Sequence, residues 1–244
     1  MARPIKQIKE ALEKTGGNVS RAAEALEMSG RGLRQRIADS DELREFVTEQ
    51  REAVVDLAED VLLQEARVNQ MEMDIDSELS AIIARRQPTA RDLRLLVAIA
   101  KMIANLERVG DEAARVARTT KNLIESGIST RLPIHDLAHE AELAIAQLRK
   151  ALDSFARLDV ARALEVLKHD DEIDQEFEGL MRKLITFMME DPRTISSSID
   201  LIFVAKAIER VGDHAKNLAE VTIYVVKGAD VRHQGREDLD KAVE

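Results

Sequence analysis

A five-residue motif, Glu-Arg-Val-Gly-Asp, occurs twice in this chain of 244 residues, at 107–111 and again at 209–213. The two copies lie 102 residues apart, and each follows an apolar stretch. The same offset relates two upstream sets of polar residues: Asn69, Glu72 and Asp76 in the first, and Asp171, Asp174 and Glu178 in the second. A pattern kept at one offset across two helices predicts an internal repeat, and therefore a fold with two similar halves.

Both halves are predicted to be helical. Only 2% of the residues are aromatic and only four are proline, as in many all-α proteins. Around each motif, apolar residues recur at alternating spacings of three and four, which indicates a helix packed in a bundle. The two stripes are Leu95, Ile99, Met102, Leu106, Val109, Ala113 and Val116, and then Leu201, Val204, Ile208, Val211, Ala215 and Leu218. We expect an all-α chain with two tandem three-helix bundles.

The sequence divides into four segments. Residues 1–40 form a short N-terminal module, residues 41–126 the first bundle and residues 133–228 the second, and residues 229–244 are a polar tail predicted to be loosely held. Long helices are expected from 41 to about 84, with or without a bend, and from 91 to about 126. The second half is expected to contain helices at 135–156, 160–190 and 197–227.

The N-terminal module is basic, whereas the rest of the chain is acidic. Residues 1–40 carry eight Lys or Arg and five acids, while the whole chain has a net charge of −10. Their pattern of short helices resembles a helix-turn-helix, with a stop at Gly16-Gly17, an N-cap at Asn18 and a last helix beginning near Gly30. The residues placed to meet phosphates or base edges are Arg31, Arg34, Gln35 and Arg36. A small helical cap with solvated basic side chains is the alternative.

The repeated acids indicate a cation site in each half. Glu107 and Asp111 are four residues apart and so share one helix face, as do Glu209 and Asp213. Like charges at this spacing repel each other, and the acids of the preceding helix would add to the repulsion. A hard cation relieves that repulsion, because carboxylate and amide oxygens suit magnesium, manganese and iron. A solvated acidic face, neutralised by Arg108 and Arg210, is the alternative.

Several of these segments resemble the PhoU family of phosphate-transport accessory and regulatory proteins. The resemblance rests on 69–76, on Arg86-Gln87-Pro88-Thr89, on both Glu-Arg-Val-Gly-Asp copies and on 189–193. It implies a cytoplasmic, homodimeric, all-helical protein with two pseudo-symmetric bundles. It also implies a divalent metal or multinuclear cluster, with iron favoured and manganese, zinc or magnesium as alternatives. The implied partners are the ATPase subunit of a phosphate ABC transporter and a sensor histidine kinase, through which the family restrains the phosphate-starvation response.

The chain departs from the family pattern at its beginning. A first repeat of this kind should open with a long helix before Asp56, equivalent to the helix at 135–156 in the second repeat. Here the helix-turn-helix-like segment and residues 41–55 occupy that place, so the first helix of the first bundle is atypical. A second hypothesis is a transcription regulator that binds DNA through residues 1–40 and uses the bundles for sensing or dimerisation.

Other classes of protein fit the sequence less well. The absence of cysteine excludes disulfides and thiolate metal sites, and no apolar run is long enough to insert into a membrane. No phosphate-cradling Gly-rich loop and no nucleophile–base pattern is present, so we do not expect an enzyme. A carboxylate metalloenzyme is disfavoured because the acids are expected to face outward and lack the Glu-x-x-His ligands of di-iron bundles.

Overall fold

The computed structural model describes residues 3–15, 19–126 and 132–232, and all regular structure within these ranges is helical. The helices are α1 Ile5–Lys14, α2 Val19–Ala25, α3 Gly30–Ala38, α4 Asp41–Arg86, α5 Ala90–Ser126, α6 Ile134–Arg157, α7 Val160–Lys168, α8 Asp171–Glu190 and α9 Ile195–Lys227, with a 3-10 turn at Pro192–Thr194. The prediction of an all-α fold is confirmed. In these ranges no helix combines the length and hydropathy that crossing a bilayer requires.

Helices α1 to α3 form a small module with a core of its own. Ile8, Leu12, Ala22 and Leu33 are buried in it. Ser29 caps α3, because its hydroxyl accepts a hydrogen bond from the Gly32 N–H at 3.1 Å. The predicted stop at Gly16-Gly17 and the predicted cap at Asn18 lie outside the described residues.

The module is seated on the first turns of α4, a single helix of 46 residues. Leu43 and Val47 of α4 complete the core of the module. Ser40 caps α4 by accepting from the Leu43 N–H at 3.4 Å. At 1.5 Å per residue this helix is roughly 70 Å long, so it carries the module away from the bundles.

The two repeats contribute different numbers of helices. The first repeat supplies α4 and α5, because residues 41–55 run straight into the rest of α4 instead of folding back as a separate helix. The second repeat supplies α6 to α9. The single helix predicted over 160–190 is two helices, α7 and α8. Gln147 on α6 donates to the His169 carbonyl oxygen at 2.6 Å and satisfies a backbone group at this break.

Helix α9 lies at the centre and packs against α5, α6, α7 and α8. Its predicted stripe is largely buried, with Leu201, Val204, Ile208, Ala215 and Leu218 in the core. The stripe of α5 is only partly buried: Met102 is in the core, while Leu95 and Ala113 are exposed. The difference arises because α5 has α4 and α9 beside it and no third helix of its own repeat.

The predicted tail begins with ordered contacts. Val231 is buried in the core cluster that also contains Ala98 and Met102, and Asp230 forms an ion pair with Arg232 at 2.5 Å. Residues 233–244, and the linker residues 127–131, lie outside the described residues.

The glycine of each repeated motif meets a different neighbour. A Cβ at Gly212 would lie 2.7 Å from Cδ1 of Ile173, a buried side chain of α8. A Cβ at Gly110 would lie 3.6 Å from Cγ1 of Val68, which is an ordinary contact distance. A neighbouring helix therefore approaches closely at Gly212, and the packing at Gly110 is looser.

This contrast predicts opposite effects for one substitution at the two equivalent positions. Gly110→Ala should raise the free energy of unfolding by about 0.5–1 kcal/mol, because alanine favours the helix and has room there. Gly212→Ala should lower it by about 1–3 kcal/mol, because the methyl group overpacks against Ile173. Urea denaturation of both variants checks this, and shifts of equal sign and size would contradict it.

Candidate functional site

The acids of the second repeat gather where α8 meets α9. Burial, and then Glu209, Asp170 and Asp174, raise the pKa of Asp213. Burial, and then Asp170 and Glu209, likewise raise the pKa of Asp174. These carboxylates are close enough to disfavour one another's ionisation. The offset of the repeated motif predicted that Asp174, Glu209 and Asp213 would lie together. Asp170, which precedes α8, is a fourth member that sequence reasoning missed.

Two lysines partly neutralise this group. Lys206 Nζ lies 2.6 Å from Glu209 Oε1, and Lys216 is paired with Asp170. The second oxygen of Glu209, Oε2, is buried and has no hydrogen-bond partner in the described part of the chain. Arg210, which was predicted as a neutralising charge, donates instead to Glu112 of α5 at 3.0 Å.

The first repeat brings the equivalent acids together on α4 and α5. Burial, and then Asp111, Glu72 and Glu65, raise the pKa of Glu107, while Arg108 lowers it. Asn69 Nδ2 donates to Glu65 Oε1 at 2.7 Å, and Asn69 Oδ1 is buried without a hydrogen-bond partner within the described ranges. Glu65 was missed from the sequence, although it lies seven residues before Glu72 and so on the same face of α4.

Three predicted residues lie at the edges of these groups. Asp76, Asp171 and Glu178 are all exposed. Asp76 is one helical turn beyond Glu72, and Glu178 one turn beyond Asp174; Glu178 forms an ion pair with Arg182 at 3.3 Å. Asp171 acts on its helix neighbour Asp174 and raises the pKa of that residue.

Glu140 on α6 is a fully buried carboxyl that sequence reasoning missed. Its exposed fraction is 0%, and neither carboxyl oxygen has a hydrogen-bond partner among the residues that the structure describes. Burial, and then Glu209 and Glu176, raise its pKa to about 8. A glutamate beside Ala141 and Ala144 in the apolar stripe of α6 is the sequence feature that could have revealed it.

The donor chemistry of the two acid groups fits a hard cation. Carboxylate and amide oxygens dominate, and the unpartnered oxygens of Glu209 and Asn69 are the kind of atom that a cation satisfies. In the described part of the chain, however, no three His, Asp or Glu side chains are placed to share one metal ion. A bound cation would therefore require changes of side-chain rotamer.

The basic side chains of the N-terminal module occupy α3. Arg31, Arg34 and Gln35 are exposed, and Gln35 donates to Asp39 at 2.9 Å. Arg36 is half-buried, with Nη1 buried and without a partner in the described residues. The exposed face of α3 is therefore polar and basic, as a recognition helix requires.

Glu140 gives the protein a pH-dependent stability. Its pKa is about 8 in the folded state and lower in the unfolded chain, so the folded state keeps a proton that the unfolded chain releases. The stability associated with this group is full below the unfolded pKa and is lost as the pH rises through about 8. Glu140→Gln should remove this dependence and should exceed wild type at alkaline pH by about 1–3 kcal/mol.

Urea denaturation of metal-free protein at several pH values measures the effect. Glu142→Gln, at an exposed position of the same helix, is the matched control and should follow wild type. An unchanged pH profile in Glu140→Gln would contradict the assignment.

The family model described as the PhoU domain matches residues 41–120 and 137–222, and the model described as bacterial regulatory protein, Fis family, matches residues 6–39. The second match agrees with the helix-turn-helix predicted for the N-terminal module.

Relatives and solved structures agree with the first match. The chain is 45% identical over 218 residues to a phosphate-specific transport system accessory protein PhoU homolog from Burkholderia sp, covering 89% of this chain and 90% of the relative. The Escherichia coli K12 protein named PhoU is 42% identical over 201 residues, 82% of each chain. The crystal structure of PhoU from Pseudomonas aeruginosa gives a TM-score of 0.66 at 36% identity, covering 92% of this chain and 97% of that one. The chain therefore belongs to the PhoU family.

Proposed function

We propose that this chain restrains phosphate uptake and the phosphate-starvation response by binding other proteins, without catalysis, in the cytoplasm. The proposed partners are the ATPase subunit of a phosphate ABC transporter and a sensor histidine kinase. Membership of the family supports this role, as do relatives named phosphate-specific transport system accessory proteins.

The observation that carries the proposal is the duplicated group of carboxylates. One group contains Glu72, Glu107 and Asp111, and the other contains Asp174, Glu209 and Asp213. Within each, neighbouring acids raise a pKa, so keeping all members ionised costs free energy in the isolated protein. Each group therefore lowers the stability of the isolated protein. A ligand that neutralises the carboxylates explains why such a group is present in both repeats.

We propose that a divalent metal or a multinuclear cluster, with iron favoured, is held by these side chains. When bound, the metal would supply positive charge that removes the mutual repulsion of the carboxylates. The chain's own contribution is to hold the acids on two rigid helices per repeat, so that neutralisation fixes their side chains without moving the backbone. A fixed surface loses less conformational entropy on docking.

Docking and metal content can be measured on the same samples. We expect the wild-type chain, loaded with iron or manganese without oxygen, to bind a purified transporter ATPase subunit in biolayer interferometry. Asp111→Asn and Asp213→Asn should each lower the metal content measured by mass spectrometry, and together should weaken docking at least about tenfold, or about 1.4 kcal/mol.

The control is Asp60→Asn, which makes the same charge change at an exposed position of α4 outside both groups. Docking that is unaffected by metal and by the paired substitutions would contradict the metal-assisted mechanism. Absence of docking by the metal-loaded wild type would contradict the proposed partner.

A second candidate function is DNA binding by the N-terminal module. The match to the Fis family over residues 6–39 and the exposed basic face of α3 favour it. In a helix-turn-helix protein the second helix of the motif enters the major groove, which here is α3. The bundles would then sense phosphate or metal and transmit that signal to the DNA-bound module.

DNA binding would depend on salt, because cationic side chains displace counterions from phosphates. We expect Arg31→Ala to weaken binding and, if Arg31 contacts one phosphate, to reduce the slope of log affinity against log salt by about 1. Arg182→Ala, an exposed arginine on α8, should bind as wild type does. Fluorescence anisotropy with labelled duplex DNA measures both quantities, and no binding at low salt would eliminate this function.

A further inference from the structure

A polar cleft lies between α5 of the first repeat and α9 of the second. It consists of two adjoining cavities of about 670 Å³ and 310 Å³. Arg108, Asn217, Glu220 and Arg232 line both cavities, so these four side chains mark the junction where the cavities meet. Volumes in this range are typical of clefts that bind small molecules. We call the two cavities together the polar cleft.

Arg108 lacks the partner that its equivalent in the second repeat has. Arg210, 102 residues later, donates to Glu112 across the two helices at 3.0 Å. The position equivalent to Glu112 is occupied by His214, and Arg108 forms no ion pair or hydrogen bond with any residue that the structure describes. The exchange of a glutamate for a histidine therefore leaves a guanidinium at the junction that is not paired as Arg210 is.

Hydrogen bonds hold the side chains beside Arg108 in position. The side-chain oxygen of Asn105 accepts from Nδ2 of Asn217 at 3.1 Å and lies 3.0 Å from Nδ1 of His214. Asn105 is itself fixed, because its Nδ2 donates to the backbone carbonyl of Lys101 at 2.8 Å. A side-chain amide nitrogen carries two N–H groups, and the bond to Asn105 uses one of those on Asn217. Asn217 can therefore donate the other to a ligand at the junction.

The segment after α9 brings a second guanidinium to the same place. Val231 is buried in a core cluster with Ala98, which anchors this segment beside α5. Arg232 forms an ion pair with Asp230 at 2.5 Å and lines both cavities together with Arg108. Guanidinium groups present several N–H donors in a plane, a geometry that matches the oxygens of a phosphate group.

We infer that the junction of the polar cleft binds a phosphate group, with Arg108, Arg232 and Asn217 donating hydrogen bonds to its oxygens. The carboxylate of Glu220 lies at the same junction and can accept a hydrogen bond from the O–H that phosphate retains at neutral pH. Sulfate has no such proton and is repelled by the carboxylate, so the junction selects phosphate. For its biological role the inference rests on the proposed function, because it supplies the bundles with a site through which phosphate is sensed.

Equilibrium dialysis of metal-free protein against radiolabelled inorganic phosphate tests the inference. We expect saturable binding, with sulfate competing at least about tenfold less well than unlabelled phosphate. Arg108→Gln should weaken binding at least about tenfold, because it removes the guanidinium from the junction. Arg118→Gln is the matched control, since it removes the same charge from an exposed position of α5 outside the polar cleft and should bind as wild type does.

A second substitution tests the pairing argument directly. His214→Glu gives Arg108 the kind of partner that Arg210 already has, so phosphate binding should fall at least about tenfold, whereas the uncharged His214→Gln should retain it. Circular dichroism verifies that each variant is folded. Competition with AMP distinguishes the source of the phosphate group: AMP that competes better than free phosphate assigns the site to a nucleotide phosphate, and weaker competition assigns it to inorganic phosphate.

Three results would overturn the inference: no saturable binding by wild type, equal losses in Arg108→Gln and Arg118→Gln, or unchanged binding in His214→Glu. Sulfate that competes as well as phosphate would overturn the role given to Glu220. The assay contains no transporter subunit, kinase, metal or DNA, so its failure is distinguishable from failure of the proposed functions.

Discussion

Helix α9 joins the two repeats into one packed unit. This helix contacts α5 from the first repeat and α6, α7 and α8 from the second, so it is common to both halves. Polar contacts fix its register against α5: Arg210 donates to Glu112 at 3.0 Å, and Asn217 donates to Asn105 at 3.1 Å. In this register, Glu209 and Asp213 of α9 lie against α8. The acid group of the second repeat therefore depends on how α9 is positioned.

Helices α5 and α9 carry the two copies of the repeated motif, and they differ at several equivalent positions. Arg210 and Glu112 form an ion pair across the two helices, while the equivalent positions hold Arg108 and His214. Burial, and then Arg108, lower the pKa of His214, so this second pair is not an ion pair. A second asymmetry appears in the glycines and in Met71, which is exposed on α4 while its equivalent Ile173 on α8 is buried. Both of these differences place the better packed version in the second repeat, where a full set of helices surrounds the motif.

The sequence was sufficient for features that depend on one helix or on the repeat offset. The duplicated motif predicted the two halves, and the spacing of apolar residues predicted the buried stripe of α9. The offset of the acids predicted that Glu72 lies near Glu107 and that Asp174 lies near Glu209. Features set by contacts between distant segments were missed. The break after α7 involves Gln147 on another helix, and Glu140 occupies a core position that local pattern assigns to an apolar residue. The α5 stripe was predicted as buried, although no third helix covers Ala113.

The proposed role of this chain, restraint of phosphate-starvation signalling, can be tested in cells. A bacterial strain lacking its own PhoU protein would carry this chain together with a reporter transcribed from a phosphate-starvation promoter. The account predicts that the reporter is repressed in phosphate-rich medium and released when phosphate is withdrawn. Reporter activity equal to that of the empty vector, at a protein level confirmed by immunoblot, would contradict it.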